Sequence, residues 1–166
     1  MFMDEAGFGR ISEPSYCWSF GGIRPSVPCH RIREFVYAFG AVDPIDGAKS
    51  FIIAPKCNTA WTNAFLEVLS AQFQNDYILL VADCAGWHKS NALIIPANIE
   101  ITHIPPYTPE MNPIEQIWRE IRSVGFKNTL FNSLNNVIDR LCIAINGLSQ
   151  HTVISISQRA WIMDMF

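Results

Sequence analysis

The sequence predicts an α/β protein built on one mixed sheet with helices on both faces. Three observations lead there. The early apolar stretches are of strand length and joined by short turns, which only antiparallel neighbours permit. The run Tyr77–Ala82 (YILLVA) is continuously apolar, as strands covered on both sides are. Beyond it, helical periodicity alternates with short strands, the pattern of parallel strands joined by crossovers.

At 166 residues the chain suits a single domain. With 49% hydrophobic and 12% aromatic residues it can fill a core, which excludes a disordered chain. The formal net charge is −3, against the basic balance of a free-standing nucleic-acid binder. An enzyme whose carboxylates are neutralised by metal ions remains compatible with that charge. Five widely spaced cysteines without a C-x-x-C pair indicate free thiols in a reducing, cytoplasmic setting. No apolar run approaches the ~18 residues that would span a bilayer, and no secretory signal is present.

Taken in order, Met1–Met3 is apolar and runs into Asp4, and Ala6–Gly9 reads as a glycine-rich turn. A short strand ending in a carboxylate is expected there. Tyr16–Phe20 reads as a second strand, Glu34–Val42 as a central one, and Ser50–Ala54 as another. Trp61, Ala64, Phe65, Val68, Leu69 and Phe73 share one face of a helix capped by Asn58 or Thr59. The YILLVA strand ends in Asp83, and Ile99–Ile104 alternates as a last strand. Asn112, Pro113 and Glu115 then form a helix start: a capping side chain, a proline at the first position, and a carboxylate near the positive end. Leu134 to Leu148 is a strongly amphipathic helix capped by Ser133. With three or four early strands and two later ones, the expected sheet is five-stranded, over a domain of residues 1–150. The apolar tail 151–166, with Trp161 and Phe166, either packs on the domain or serves a dimer.

Asp4, Asp83 and Glu115 stand out. If the first strand and the YILLVA strand are parallel neighbours, Asp4 and Asp83 lie side by side at the strand ends, where α/β sites gather. Crowded carboxylates repel unless a proton or a cation joins them. Hard divalent cations take oxygen ligands, and a pair of them can clamp a phosphodiester displacement. Each residue also has a plain role: turn residues for the two aspartates, and a capping box for Glu115.

Three blocks carry a resemblance: Met3–Arg10 (MDEAGFGR, followed by Cys17-Trp18), Leu80–Ser90 (LVADCAGWHKS) and Pro105–Arg122 (PPYTPEMNPIEQIWREIR). Together, in this order, they resemble the DDE catalytic domain of the insertion-sequence-630 branch of mariner-like transposases. Phe39–Val42 and Asp46-Gly47 extend the similarity. It implies an RNase H-like fold and assigns Asp4, Asp83 and Glu115 as ligands of two Mg²⁺ or Mn²⁺ ions. The implied activity is DNA strand cleavage and strand transfer, in which water and then a DNA 3′-hydroxyl attack phosphodiesters.

Family members also carry N-terminal helix-turn-helix segments that recognise transposon ends. Such a segment is expected to be absent from this chain, and the expected partners are transposon-end and target DNA, a second copy, or a separate DNA-binding half. A catalytically silent fragment or interaction module is the alternative. Four further residues are candidates for DNA contact: His88 and Lys89 beside the second acid, and Arg119 and Arg122 on the helix of the third. His88 and Lys89 could equally cap a short helix, and Glu115 and Arg119 could form a surface ion pair. The basic cluster Arg24, His30, Arg31 and Arg33 is a further candidate DNA contact, or a solvated loop. Glu5 is a candidate spare metal ligand, although strand alternation points it away from Asp4. Cys84, His88 and His103 fit no usual zinc spacing.

Overall fold

The structure, a computed structural model, describes residues 1–12 and 14–164. Among the described residues five strands form one sheet: β1 (Phe2–Ile11), β2 (Arg31–Val42), β3 (Lys49–Ala54), β4 (Ile78–Ala82) and β5 (Ile99–His103). Their spatial order is β3-β2-β1-β4-β5. The β1–β2 and β2–β3 pairs are antiparallel, and β1–β4 and β4–β5 are parallel. This is the mixed sheet the turns and crossovers predict.

Alternation along the strands divides the core. Ala6, Phe8, Val36, Ala38 and Val42 face the helices α2 (Ile114–Gly125), α3 (Leu134–Asn146) and α4 (Gln150–Ser157). Met3, Phe39, Ala41, Leu80 and Ala82 face α1 (Thr59–Gln72). The side chain of Asn58 caps α1 by accepting the Trp61 backbone N–H at 3.1 Å, which decides between the two expected caps. The buried face of α1 is Thr62, Phe65, Leu66 and Leu69, and Val68 is exposed. The helix is thus rotated from its expected apolar stripe, because Leu66 outcompetes Val68 for the sheet.

Three expectations are corrected. Tyr16–Phe20 is not a strand: Tyr16, Trp18 and Phe20 lie in an exposed connection between β1 and β2. Aromatic residues have high strand propensity, but no neighbouring strand is available to pair with them. The first strand does not end at Asp4. It runs on through Gly7 and Gly9 to Ile11, paired with β2 along most of its length. Finally, β4 is not covered evenly. Ile78, Leu80 and Ala82 are buried against α1, whereas Leu79 is exposed and Val81 half-buried. The α2–α4 layer lies over β1 and β2 and leaves the β4 side of that face thin.

The tail up to Asp164 packs on the domain. Within α4, Val153 and Ser157 are buried; in α5 (Ala160–Met163), Ile162 is buried and Trp161 meets Phe2 edge-on at 6.0 Å. The Phe166 of the expected tail contact lies outside the described residues.

One glycine connects the sheet to the site. Gly40 on β2 pairs directly with Asp4 on β1. A Cβ at Gly40 would meet the Phe51 ring at 2.5 Å and Trp118 at 2.8 Å. The bare backbone therefore makes room for the Trp118 indole above Asp4. Gly40→Ala should destabilise the fold by about 1–3 kcal/mol through overpacking, read as a lower midpoint in urea unfolding.

Candidate active site

Asp4 lies on the face of β1 that packs against α2. In the parallel β1–β4 pair Phe2 is level with Val81. Counting two residues onward along both strands brings Asp4 level with Asp83, the residue that follows β4. Adjacent strands are ~4.8 Å apart, so the two backbones hold these acids side by side.

The third acid arrives through two ties between α2 and β1. The Asn112 amide Nδ2 donates to the Met3 carbonyl at 2.9 Å, and the Trp118 indole Nε1 donates to Asp4 Oδ2 at 3.0 Å. These bonds bracket Glu115 and dock the first turn of α2 beside Asp4. They also correct the expected capping box. Asn112 does not cap the helix with its side chain; Pro113 occupies the cap position with no side-chain cap bond. The Glu115 backbone N–H instead reaches the Asn112 carbonyl at 3.1 Å, in a tight i→i+3 turn. Asn112 serves the tertiary contact in place of the local one.

Asp4, Asp83 and Glu115 line one cavity of about 380 Å³, together with Cys84, Ala85, Asn112 and the proline-rich loop 104–109. In that loop Tyr107 has a φ of 62° and is fully exposed. Among the described residues no lysine or arginine pairs with any of the three acids. The electrostatic result appears at Asp4, whose pKa is raised to about 7. Burial is the main cause and the Glu115 charge the second; the Trp118 hydrogen bond opposes them. The three side chains do not close on a common point: among the described residues no group of three His, Cys, Asp or Glu residues is placed to hold an ion together. The donor set nevertheless fits hard divalent cations: oxygen-only ligands, crowded, without a counter-charge.

The other candidates separate. His88 is buried, on a short 3₁₀ turn (Gly86–Lys89) after β4, with both ring nitrogens engaged. Its ring therefore faces carboxylates, and a phosphate has no access to it in this arrangement. Burial lowers its pKa, but the Glu5 hydrogen bond and the Glu5 and Asp83 charges outweigh this and leave it above the ordinary value. Lys89 is exposed. Alternation does send Glu5 to the sheet face opposite Asp4, where it meets His88.

Arg119 and Arg122 do not line the carboxylate cavity. Arg119 donates to Gln116 at 3.2 Å, and Arg122 lies 5.1 Å from the Phe8 ring centre. With Lys127 they line a neighbouring groove of about 460 Å³. The Glu115–Arg119 pair is absent among the described residues. Burial, with the Glu5, Asp4 and Asp83 charges, pushes the Cys57 thiol up to about 12. At that value it is not a nucleophilic thiolate at neutral pH. Cys84 donates to the Ile104 carbonyl at 3.4 Å, as a structural thiol does. Among the described residues no helix is long and apolar enough to cross a membrane.

Sequence reasoning missed Trp118 as the partner of Asp4, Asn112 as the tether, and the Glu5–His88 contact. Trp118 left one signal, since it stands one turn after Glu115 in the helix that carries it.

The chain is 32% identical over 130 residues to the uncharacterized protein y4pE/y4sA of Sinorhizobium fredii (strain NBRC 101917 / NGR234), covering 76% of this chain and 96% of that protein. The Mos1 strand transfer complex has a chain that matches with a TM-score of 0.70 at 14% identity, over 93% of this chain and 49% of its own. A pre-cleavage Mos1 transpososome gives 0.72 at 12% identity, over 93% and 50%. A simian T-cell lymphotropic virus intasome gives 0.52 at 16%, over 84% and 56%. Other Mos1 mariner paired-end complexes that match were solved with Mn and with Mg. The present chain thus spans about half the length of the Mos1 chains, and the likeness establishes an RNase H-like fold. The family model for the DDE superfamily endonuclease matches residues 1–138, and the chain belongs to that family.

Proposed function

We propose that this chain is the catalytic domain of a transposase of the insertion-sequence-630 type, cutting and joining DNA strands with Asp4, Asp83 and Glu115 as its acids. The observation that carries the reading is Asp4: a half-buried carboxylate raised to about 7 beside Glu115, with Asp83 on the same cavity and, among the described residues, no cationic side chain lining it. Two Mg²⁺ or Mn²⁺ ions would be held by these three acids, and would supply the positive charge that lets water or a DNA 3′-hydroxyl attack a phosphodiester. The Mn and Mg complexes of Mos1 support that choice of ion.

The chain's own contribution is orientation. Trp118 fixes Asp4 Oδ2, and the Asn112–Met3 tie sets the reach of Glu115. Ala85 N–H holds Asp83 Oδ1 at 2.9 Å. Arg119, Arg122 and Lys127 offer a groove with phosphate-binding chemistry next to the acids. Such contacts position DNA without reading its sequence. At a net charge of −3, binding by this chain is weak and nonspecific, and recognition of transposon ends belongs to another segment or a separate half. Replacing Arg119 and Arg122 with alanine should weaken DNA binding uniformly across sequences and lower the salt slope by about one to two. Fluorescence anisotropy over a range of salt concentrations measures both.

The acids' failure to converge favours a second reading, a silent module that keeps the fold. Supercoiled plasmid incubated with the chain and Mn²⁺ separates the two. Metal-dependent conversion to open circles supports the enzyme. Metal binding without nicking supports the silent module, and cleavage of RNA in hybrids would point to a different nuclease.

A further inference from the structure

We infer that Glu5 and His88 form a buried strut that aims Asp83 at the cation site, which makes both of them positioning residues for metal binding. The inference rests on the reading of Asp83 as a metal ligand. His88 Nδ1 lies 2.8 Å from Asp83 Oδ1, and Nε2 lies 2.8 Å from Glu5 Oε1. The ring side chain is 1% exposed and that of Glu5 5%, whereas Asp83 is 46% exposed. One end of the chain of contacts is therefore sealed in the protein, and the other opens on the carboxylate cavity.

The consequence for Asp83 is directional. Oδ1 accepts from the His88 ring and from the Ala85 backbone N–H at 2.9 Å. Two donors on one oxygen fix the rotation of the carboxylate. Oδ2 takes no hydrogen bond among the described residues, which leaves it for a ligand in the cavity. Glu5 comes from the middle of β1 and His88 from the turn after β4, so the strut also locks together the two strands that present Asp4 and Asp83.

A buried Glu5 makes little sense as a device for stability. Burying an ion pair costs about as much as it returns, and an apolar pair would fill the space at no such cost. Outer partners that orient a ligand do have a function, and losing one weakens metal affinity by roughly 10–100-fold. Glu5 holds the ring by Nε2, on the side away from the cavity.

Two substitutions at one position separate positioning from packing. The amide of His88→Asn places a donor near the position of Nδ1, within reach of Asp83 but not of Glu5. That of His88→Gln places it near Nε2, within reach of Glu5 but not of Asp83. Mn²⁺ affinity is read from the free-ion signal in electron paramagnetic resonance, alongside thermal unfolding of the same samples. The expected result is that His88→Asn stays within about threefold of the parent, while His88→Gln loses about tenfold or more. Because His88→Asn strands the Glu5 charge, the double variant with Glu5→Gln keeps the comparison valid if the single variant folds poorly. Equal affinities in both variants, or losses that follow stability alone, would overturn the strut. A parent that binds no Mn²⁺ would overturn the metal-site reading and the strut with it. A parent whose binding is lost in Asp83→Asn but untouched by either His88 variant would overturn the strut only.

Discussion

Asp83→Asn should abolish metal-dependent DNA nicking while leaving the fold intact. The substitution is nearly isosteric. Its carbonyl oxygen can still accept from Ala85 N–H and the His88 ring, the two bonds that hold Oδ1. What changes is the second oxygen, which becomes an NH₂ group and presents hydrogens to the place where a cation would bind. Loss of one ligand from a metal that stabilises developing charge costs several kcal/mol of transition-state stabilisation. At 1.36 kcal/mol per decade this is about a thousandfold or more in rate. Single-turnover nicking of plasmid DNA measures it, with circular dichroism confirming the fold. Retention of more than a tenth of the parent rate would remove Asp83 from the catalytic set.

Asp4→Asn has an opposite signature, a gain in stability together with loss of function. The carboxyl of Asp4 is raised from an ordinary 3.8 to about 7 in the folded chain. The folded state therefore holds this proton more tightly than the unfolded state does. Below pH 3.8 both states are protonated and the group costs nothing. Between 3.8 and about 7 the unfolded chain ionises first and stability falls as pH rises, and above 7 the loss is complete. Three pH units correspond to a penalty on the order of 4 kcal/mol at pH 8. Asparagine carries no such charge and still accepts from the Trp118 indole. In the absence of divalent ions, Asp4→Asn should melt several degrees above the parent at pH 8, with the gap narrowing toward pH 4. Added Mn²⁺ should raise the Tm of the parent and leave that of the variant unchanged. A parent that is equally stable at pH 5 and pH 8, matching the variant at both, would mean that Asp4 is not crowded.

The contrast between these two aspartates shows what could be read from sequence. The end of YILLVA at Asp83 follows from apolar run length, a local quantity, whereas its parallel pairing with β1 entered the sequence reading only as a condition. The continuation of β1 beyond Asp4 does not follow from local quantities. Gly7 and Gly9 resemble a turn, but Gly9 is bare because a Cβ there would run into the Glu34 carbonyl and the Phe35 ring on β2. A close approach between strands carries the same letter as a turn. Asn112 shows the same limit at a helix end. By local rules it is an ideal cap, yet Met3, distant in sequence, competes for its amide. The three acids were visible as residue types at the ends of predicted elements. Their supports, Trp118, Asn112, Glu5 and His88, were not, because each acts through a contact between segments far apart in the chain.

Anomalous diffraction at the manganese edge, from crystals grown with Mn²⁺, tests the central claim most directly. The account predicts metal density in the cavity between β1, the end of β4 and the start of α2, with oxygens of Asp4, Asp83 and Glu115 as ligands at roughly 2.0–2.2 Å. Strong manganese peaks elsewhere on the surface, with that cavity empty at saturating metal, would contradict it.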